Sequence, residues 1–497
     1  MLENAVERVL EAEEIDLDIV KKRSLVGVLS LISRSFLIQL IAFISTFLLT
    51  IFLDPSVFGV FYLVSAFINF FSYFSDIGLA AALIQKKEKI TDEDLKTTFF
   101  VQQSLVVVLL ALIFLISPLA RKWYGLNNEA LYLLFALGLS FFLSSLKTIP
   151  SILLERNLKF NLLIIPQILE TLAFNLVAVI LAWRGFGIIS FVWAVLARGV
   201  VGLVTMYLIS PWKIGFAFSR SSLSSLLKFG IPYQANTMMA VVKDDLMTIF
   251  LGKIIGPAGL GYLGWAKKWA ELPLRFLMDN VSKVVFPAFS RMQHDRNQLK
   301  IAVEKSLFFL SFLTFPILTG FSILASDLVK IIPRYSKWEP ALFALYLYVF
   351  NSGWATISTS MTNLLNAIGL IKKTFKLMDM WLVLTWTLMP ILGIKFGYNG
   401  VAIASAIIAL SSVVAIFVAR REVKFDLVSS IGKPLLSSLI MGAGIFLYRP
   451  RFLNPSLLIF SRIFLGAGIY FFISYLLIGK SLFEDITRVY FQIKKKK

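Results

Sequence analysis

The feature that most limits how this chain can fold is the recurrence of apolar runs about twenty residues long. They fall near 25–53, 57–84, 98–117, 130–149, 161–183, 187–209, 223–252, 259–289, 305–325, 341–365, 375–394, 398–418, 433–448 and 456–478. A helix of about twenty residues crosses the roughly 30 Å hydrocarbon layer. No water is available there to satisfy backbone N–H and C=O groups, so helices are the expected form. Hydrophobic residues make up 58% of the 497 and charged residues 16%, with a mean hydropathy of +0.81. Soluble chains are about a quarter charged, and no soluble core would hide this much apolar surface. The expectation is an all-α polytopic membrane protein with about fourteen transmembrane helices.

The net charge of +20 would suggest nucleic acid in a soluble protein. Here Lys and Arg sit mainly between the apolar runs, as Lys86-Lys87-Lys89, Arg156/Lys159, Arg291/Arg296/Lys300, Lys372-Lys373/Lys376, Arg420-Arg421/Lys424 and Lys494 to Lys497. They read as topogenic anchors that meet anionic lipid head groups. Membrane lipids are thus expected partners and nucleic acid is not. An even number of spans with this bias predicts a multi-pass protein of the cell inner membrane, both termini cytoplasmic. Cysteine is absent and His294 is the only histidine, which argues against a disulfide framework, a thiolate or imidazole metal site and a Ser-His-Asp triad. No cofactor, metal or catalytic residue is expected. The longest external segment, 326–340, is too short for an independent catalytic module.

Residues 1–23 read as a cytoplasmic amphipathic leader ending in Lys21-Lys22-Arg23, and 25–53 as a retained first span instead of a cleaved signal. A weak internal repeat follows. Pro55-Ser56-Val57-Phe58-Gly59 is echoed by Pro257-Ala258-Gly259-Leu260-Gly261, and Gly185-Phe186-Gly187 by Gly397-Tyr398-Asn399, each pair roughly two hundred residues apart. The repeat predicts two parallel six-helix bundles, 24–210 and 223–420, joined by a cytoplasmic linker at 211–222. Two additional helices and a basic tail would occupy 421–497. Transporters built from parallel repeats hold cargo between the halves.

A charge at the bilayer centre costs about 2.5–3.5 kcal/mol on insertion scales, so each intramembrane ionisable residue is a site candidate. Run 259–289 carries Lys268, Glu271, Arg275, Asp279 and Lys283 on one helical stripe, with Pro273 inside it. Two readings coexist: a cavity lined by Lys268 and Arg275, or a ladder in which Glu271–Arg275 and Asp279–Lys283 neutralise each other. Run 223–252 adds Asn236 and Lys243 on one face, beside Asp244 and Asp245, with Pro232 below. Arg34 in 25–53 and Arg198 in 187–209 are further cavity candidates, while Asp76 in 57–84 is a charge-pairing or coupling candidate. Lys147 and Arg462, nearer the ends of their runs, are expected to snorkel. The substrate-cavity set is therefore Arg34, Arg198, Lys243, Lys268 and Arg275; the coupling or charge-pairing set is Asp76, Asp244, Asp245, Glu271 and Asp279. The cationic excess favours an anionic cargo, and the planar fork of Arg suits phosphate.

Several short motifs resemble those of the oligosaccharide flippases in the multidrug/oligosaccharidyl-lipid/polysaccharide exporter superfamily, especially the lipopolysaccharide and exopolysaccharide branch. They are Phe58-Gly59, Phe74-Ser75-Asp76-Ile77-Gly78-Leu79, Ala82-Leu83-Ile84-Gln85 and Phe286-Pro287-Ala288-Phe289-Ser290-Arg291-Met292-Gln293. The resemblance implies two six-helix bundles around a central cationic cavity, plus two extra helices. It further implies alternating access that carries a polyprenyl-diphosphate-linked oligosaccharide to the outer leaflet, with a proton or sodium as possible coupling ion. Competing readings are a multidrug/cation antiporter of the same superfamily, a peptidoglycan-precursor flippase, and a membrane glycan polymerase or ligase.

Overall fold

Helices account for every long element of the computed structural model, which describes residues 38–450 and 454–479. At 235–237, 239–240, 279–280 and 283–284 only the backbone is described. The expected leader, Arg34 and the basic tail from 480 onward lie outside the described residues. Contacts divide the chain into two units, 1–261 and 262–497.

The first unit contains α1 (38–52), α2 (Pro55–Ser72), α3 (Leu79–Gln85), α4 (Asp92–Tyr124), α5 (Asn128–Leu146), α6 (Thr148–Arg156), α7 (Phe160–Trp183), α8 (Ile189–Ile209) and α9 (Arg220–Val241). A π-helical turn, Val242–Leu246, leads into α10 (Met247–Met292), which continues into the second unit. Local chemistry sets the boundaries. Pro55 occupies the first turn of α2, where its missing N–H costs nothing. The α4 start carries a capping box: Asp94 N–H donates to Thr91 Oγ1 at 3.1 Å and Thr91 N–H to Asp94 Oδ2 at 3.0 Å. Gly125, at φ 62°, ends the same helix.

Run 57–84, expected as one span, is instead broken. After Ser72 the chain turns through Tyr73–Gly78, with Ile77 at φ 49° and Gly78 at φ 75°. A β-branched residue with positive φ is costly, and its neighbours hold it there. Gly78 and Gly230 of α9 are in backbone contact, a Cβ on Gly230 falling 2.7 Å from the Ile77 carbonyl oxygen. Tyr73 and Gln234 exchange side-chain-to-backbone hydrogen bonds across the same crossing. Because α9 packs in this way on α3 and α4, the expected linker at 211–222 falls inside the first unit.

The two copies of the Pro-to-Gly repeat meet. A Cβ on Gly59 would overlap the Pro257 carbonyl, and one on Gly261 would overlap the Pro55 carbonyl. Position five of each motif thus lies against position one of the other.

The second unit continues with α11 (Arg296–Ile331), a 3-10 turn at Ser336–Ala341, α12 (Leu342–Ala367), α13 (Ile371–Leu410), α14 (Ser412–Glu422), α15 (Leu427–Leu447) and α16 (Pro455–Ile478). One core joins Leu299, Leu307, Met361, Leu365 and Ala419. A second, of Phe312, Leu324, Met441, Ile445 and Tyr470, ties α15 and α16 to α11. Lipid is as apolar as these side chains, so close approach at small residues has to hold such helices together. Gly442 admits Thr319 and Gly466 admits Ile445, at 2.7 and 2.6 Å from where a Cβ would sit.

Arg462 does not snorkel. It is 1% exposed, forms an ion pair with Asp327 of α11, and donates from Nε to the Tyr448 carbonyl at 2.9 Å.

Among the described residues, ten helices are long and apolar enough to cross a membrane, against about fourteen expected runs. Part of the difference is physical. Segment Ile371–Glu422 would reach about 78 Å as one helix at 1.5 Å per residue, but Gly397, at φ 60° and ψ −146°, breaks it. Gly256, at φ 69° and ψ 176°, breaks α10 in the same way. Helix α12 is one of the best buried, yet Asn351, Ser352, Thr356, Ser358, Ser360 and Thr362 lower its apolarity.

Candidate functional site

Two cation-rich clusters stand out, one in each unit, and both are organised around a single carboxylate.

In the first unit the carboxylate is Glu170, 8% exposed and near the middle of α7. Lys147, the residue that ends α5, forms an ion pair with its Oε1. Arg198 of α8 lies on the other side, its Nε 3.8 Å from Oε2. Lys147 is therefore paired inside the unit and does not snorkel. The slot that admits the carboxyl is made by Gly202 on α8, where a Cβ would overlap Glu170.

Arg198 has a 59% exposed side chain. The exposed apolar stripe of α8 is Trp193, Val200, Val204 and Leu208, and Arg198 lies roughly 120–160° around the helix from the first three and about 80° from Leu208. It shares a face with the buried residues Phe191, Val195 and Gly202. Its exposure therefore opens on the bundle side and not toward lipid, as an intramembrane Arg requires. Polar side chains line the neighbouring interior: Gln102 Nε2 donates to Thr148 Oγ1 at 3.1 Å and Ser145 Oγ to Gln103 Oε1 at 3.1 Å.

In the second unit Glu271 plays the equivalent part. Arg275 donates to its Oε2 from Nε at 3.1 Å and from Nη2 at 2.8 Å, while Lys267 Nζ lies 3.9 Å from Oε1. Arg275 is 70% exposed at its side chain and Lys268 is also exposed. Each cluster thus holds one carboxylate between two cations and keeps one net positive charge.

The π-helical turn between α9 and α10 gathers Lys243, Asp244 and Asp245. Lys243 Nζ lies 3.8 Å from Asp244 Oδ1, and Asn69 of α2 donates to Asp245 Oδ1 at 3.4 Å. A π-bulge inserts an extra residue into a helix and often accompanies a functional position. Asp76 has a local role: its carboxylate accepts from the Ala80 N–H at 3.1 and 3.3 Å and so satisfies a first-turn donor of α3, whose N-cap is Gly78. Arg34 lies outside the described residues, and the side chain of Asp279 is not described. Among the described residues, no group of three His, Asp or Glu side chains is placed to hold a metal ion.

The expected pair Glu271–Arg275 is thus formed, and Lys243 pairs with Asp244. Sequence reasoning missed Glu170, whose signal was present: a lone carboxylate inside an apolar stretch that runs from Phe160 to Trp183. A mid-span carboxylate needs a cation, and both available ones lay on neighbouring helices.

Residues 48–342 match the family described as "Polysaccharide biosynthesis protein". The chain is 25% identical over 313 residues to the lipopolysaccharide biosynthesis protein WzxC of Escherichia coli, covering 61% of each chain. It is 24% identical over 329 residues to the succinoglycan biosynthesis transport protein ExoT of Rhizobium meliloti, covering 66% of each. The matches thus span between three fifths and two thirds of the length of these curated relatives. By fold, the chain is similar to the lipid II flippase MurJ in its inward closed conformation, with a TM-score of 0.73 at 19% identity. That match covers 91% of this chain and 99% of that one. With more than half of its length matched to one family, this all-helical membrane chain belongs to the polysaccharide biosynthesis protein family.

Proposed function

We propose that the protein carries a polyprenyl-diphosphate-linked oligosaccharide from the cytoplasmic to the outer leaflet by alternating access, for assembly of a cell-surface polysaccharide. The observation that carries this reading is the pair of clusters at Glu170 and Glu271. Each presents an exposed guanidinium and one surplus positive charge within a membrane segment. A diphosphate crossing a low-dielectric region needs compensating charge, and Arg supplies it through paired N–H donors matched to phosphate oxygens. Family membership and the relatives' part in polysaccharide biosynthesis support the same cargo class.

The protein is read as a transporter and not an enzyme, because its intramembrane charges are arranged to compensate an anion and not to exchange protons with a reacting bond. A cation antiporter would require carboxylates in surplus, and both clusters have the opposite sign. The π-helical turn, with Lys243, Asp244 and Asp245, carries one net negative charge and suits a coupling proton or sodium ion. The inner membrane is the proposed location, with both termini cytoplasmic.

Transbilayer movement of a labelled polyprenyl-diphosphate oligosaccharide in proteoliposomes tests the proposal. Intact protein is expected to move it, and Arg198→Ala and Arg275→Ala to abolish movement while remaining folded and inserted. No movement by intact protein under proton, sodium or voltage gradients would overturn the reading in favour of the antiporter.

A further inference from the structure

We propose that Glu170 is an internal counter-anion: it competes with the cargo's diphosphate for Arg198 and thereby sets how readily the anion is released. The inference rests on the proposed function, and it assigns a positioning role to a residue within the first unit.

The geometry separates the two cations. Lys147 lies directly against Oε1 of Glu170, whereas Arg198 approaches Oε2 only to 3.8 Å, an ion-pair distance too long for a hydrogen bond. The carboxylate therefore neutralises Lys147 closely and Arg198 loosely. Gly202, one turn beyond Arg198 on α8, leaves the space that the carboxyl occupies against that helix, which a Cβ would fill. Arg198 is accordingly tethered, bundle-facing and 59% exposed, with donors available to a second acceptor.

An arriving phosphate oxygen would draw the Arg198 guanidinium from Glu170 into a charge-assisted hydrogen bond. Glu170 would stay compensated by Lys147, so no uncompensated carboxylate is left in the membrane interior. When the cargo leaves, Arg198 returns to Glu170. The exchange keeps the complex from becoming too tight, since a transporter that binds its cargo strongly in one state releases it slowly.

Removing the carboxylate charge gives an outcome opposite to that of a structural defect. In Glu170→Gln, Lys147 and Arg198 both lack their counter-charge, so anion binding strengthens. The expected result is about tenfold tighter binding of farnesyl diphosphate to purified full-length protein, the size of a modest change in local electrostatics. In proteoliposomes the same variant should show a lower KM together with a lower maximal rate of movement.

Adding Arg198→Ala to Glu170→Gln should cancel the tightening. Gly202→Ala keeps the charge but displaces the carboxyl, and should tighten binding about two- to threefold. It carries the test if Glu170→Gln does not insert. Unchanged or weaker binding by the folded variants, or tightening that persists without Arg198, overturns the proposal. If intact protein binds the probe and moves cargo while Glu170→Gln behaves identically, only this inference fails. If intact protein binds no farnesyl diphosphate, the flippase reading fails with it.

Discussion

Gly59 and Gly261 each lie against the backbone carbonyl of the proline that opens the other's motif, Pro257 for Gly59 and Pro55 for Gly261. The contact is reciprocal, and backbone lies on both sides of it, so no side chain is there to move aside.

A methyl group at either position must therefore displace main chain. Gly59→Ala and Gly261→Ala are each expected to cost about 1–3 kcal/mol, the range for overpacking a close contact. Thermal denaturation in detergent checks this. The double variant should cost less than the sum of the two, because both substitutions open the same contact.

Arg275 donates two hydrogen bonds to one oxygen of Glu271. Lysine keeps the charge and loses the fork. Arg275→Lys should retain membrane insertion but reduce the initial rate of cargo movement about tenfold, whereas Arg275→Ala abolishes it. An equal rate for Arg275→Lys and intact protein would show that only charge matters at this position.

Asp94 precedes the apolar run of α4, in the loop-side capping box. Burial pushes its carboxyl upward, but the Lys86 ammonium at 2.7 Å, the Ser222 hydroxyl and the Thr91 N–H and hydroxyl outweigh it. Together they hold the group at about 2, below its ordinary 3.8. A depressed carboxyl contributes stability that is fully present above its unfolded value and is lost as pH falls through the folded one. Asp94→Asn should therefore cost about 1–2 kcal/mol at pH 7. The gap to intact protein should close as pH drops from about 4 toward 2, measured as denaturant midpoints at each pH.

Removing one partner of a buried ion pair strands the other charge. Asp327→Ala should cost about 3–5 kcal/mol and expose the segment around Tyr448 to protease, while Asp327→Leu combined with Arg462→Met should recover most of the loss. Limited proteolysis and melting temperature separate the two outcomes.

The class of fold was legible because apolar runs and backbone satisfaction leave little choice. Glu271–Arg275 was legible because both partners sit on one helix four residues apart. Pairs made between helices were not. Lys147 and Arg462 looked like side chains reaching for head groups, and their partners Glu170 and Asp327 lie 23 and 135 residues away. The break after Ser72 was hidden for a related reason. Tyr73-Phe74-Ser75-Asp76-Ile77 is apolar enough to continue a span, and what bends it is the approach of Gly230 from another helix.

The Arg462–Asp327 pair also bears on how the protein is made. An arginine at the bilayer centre is opposed by about 2.5–3.5 kcal/mol, and this one lies two turns inside α16. Its carboxylate partner is synthesised 135 residues earlier. Helix α16 thus enters the bilayer with part of its apolar gain cancelled and recovers it once α11 is resident, so full seating of this segment depends on a helix the ribosome finished long before.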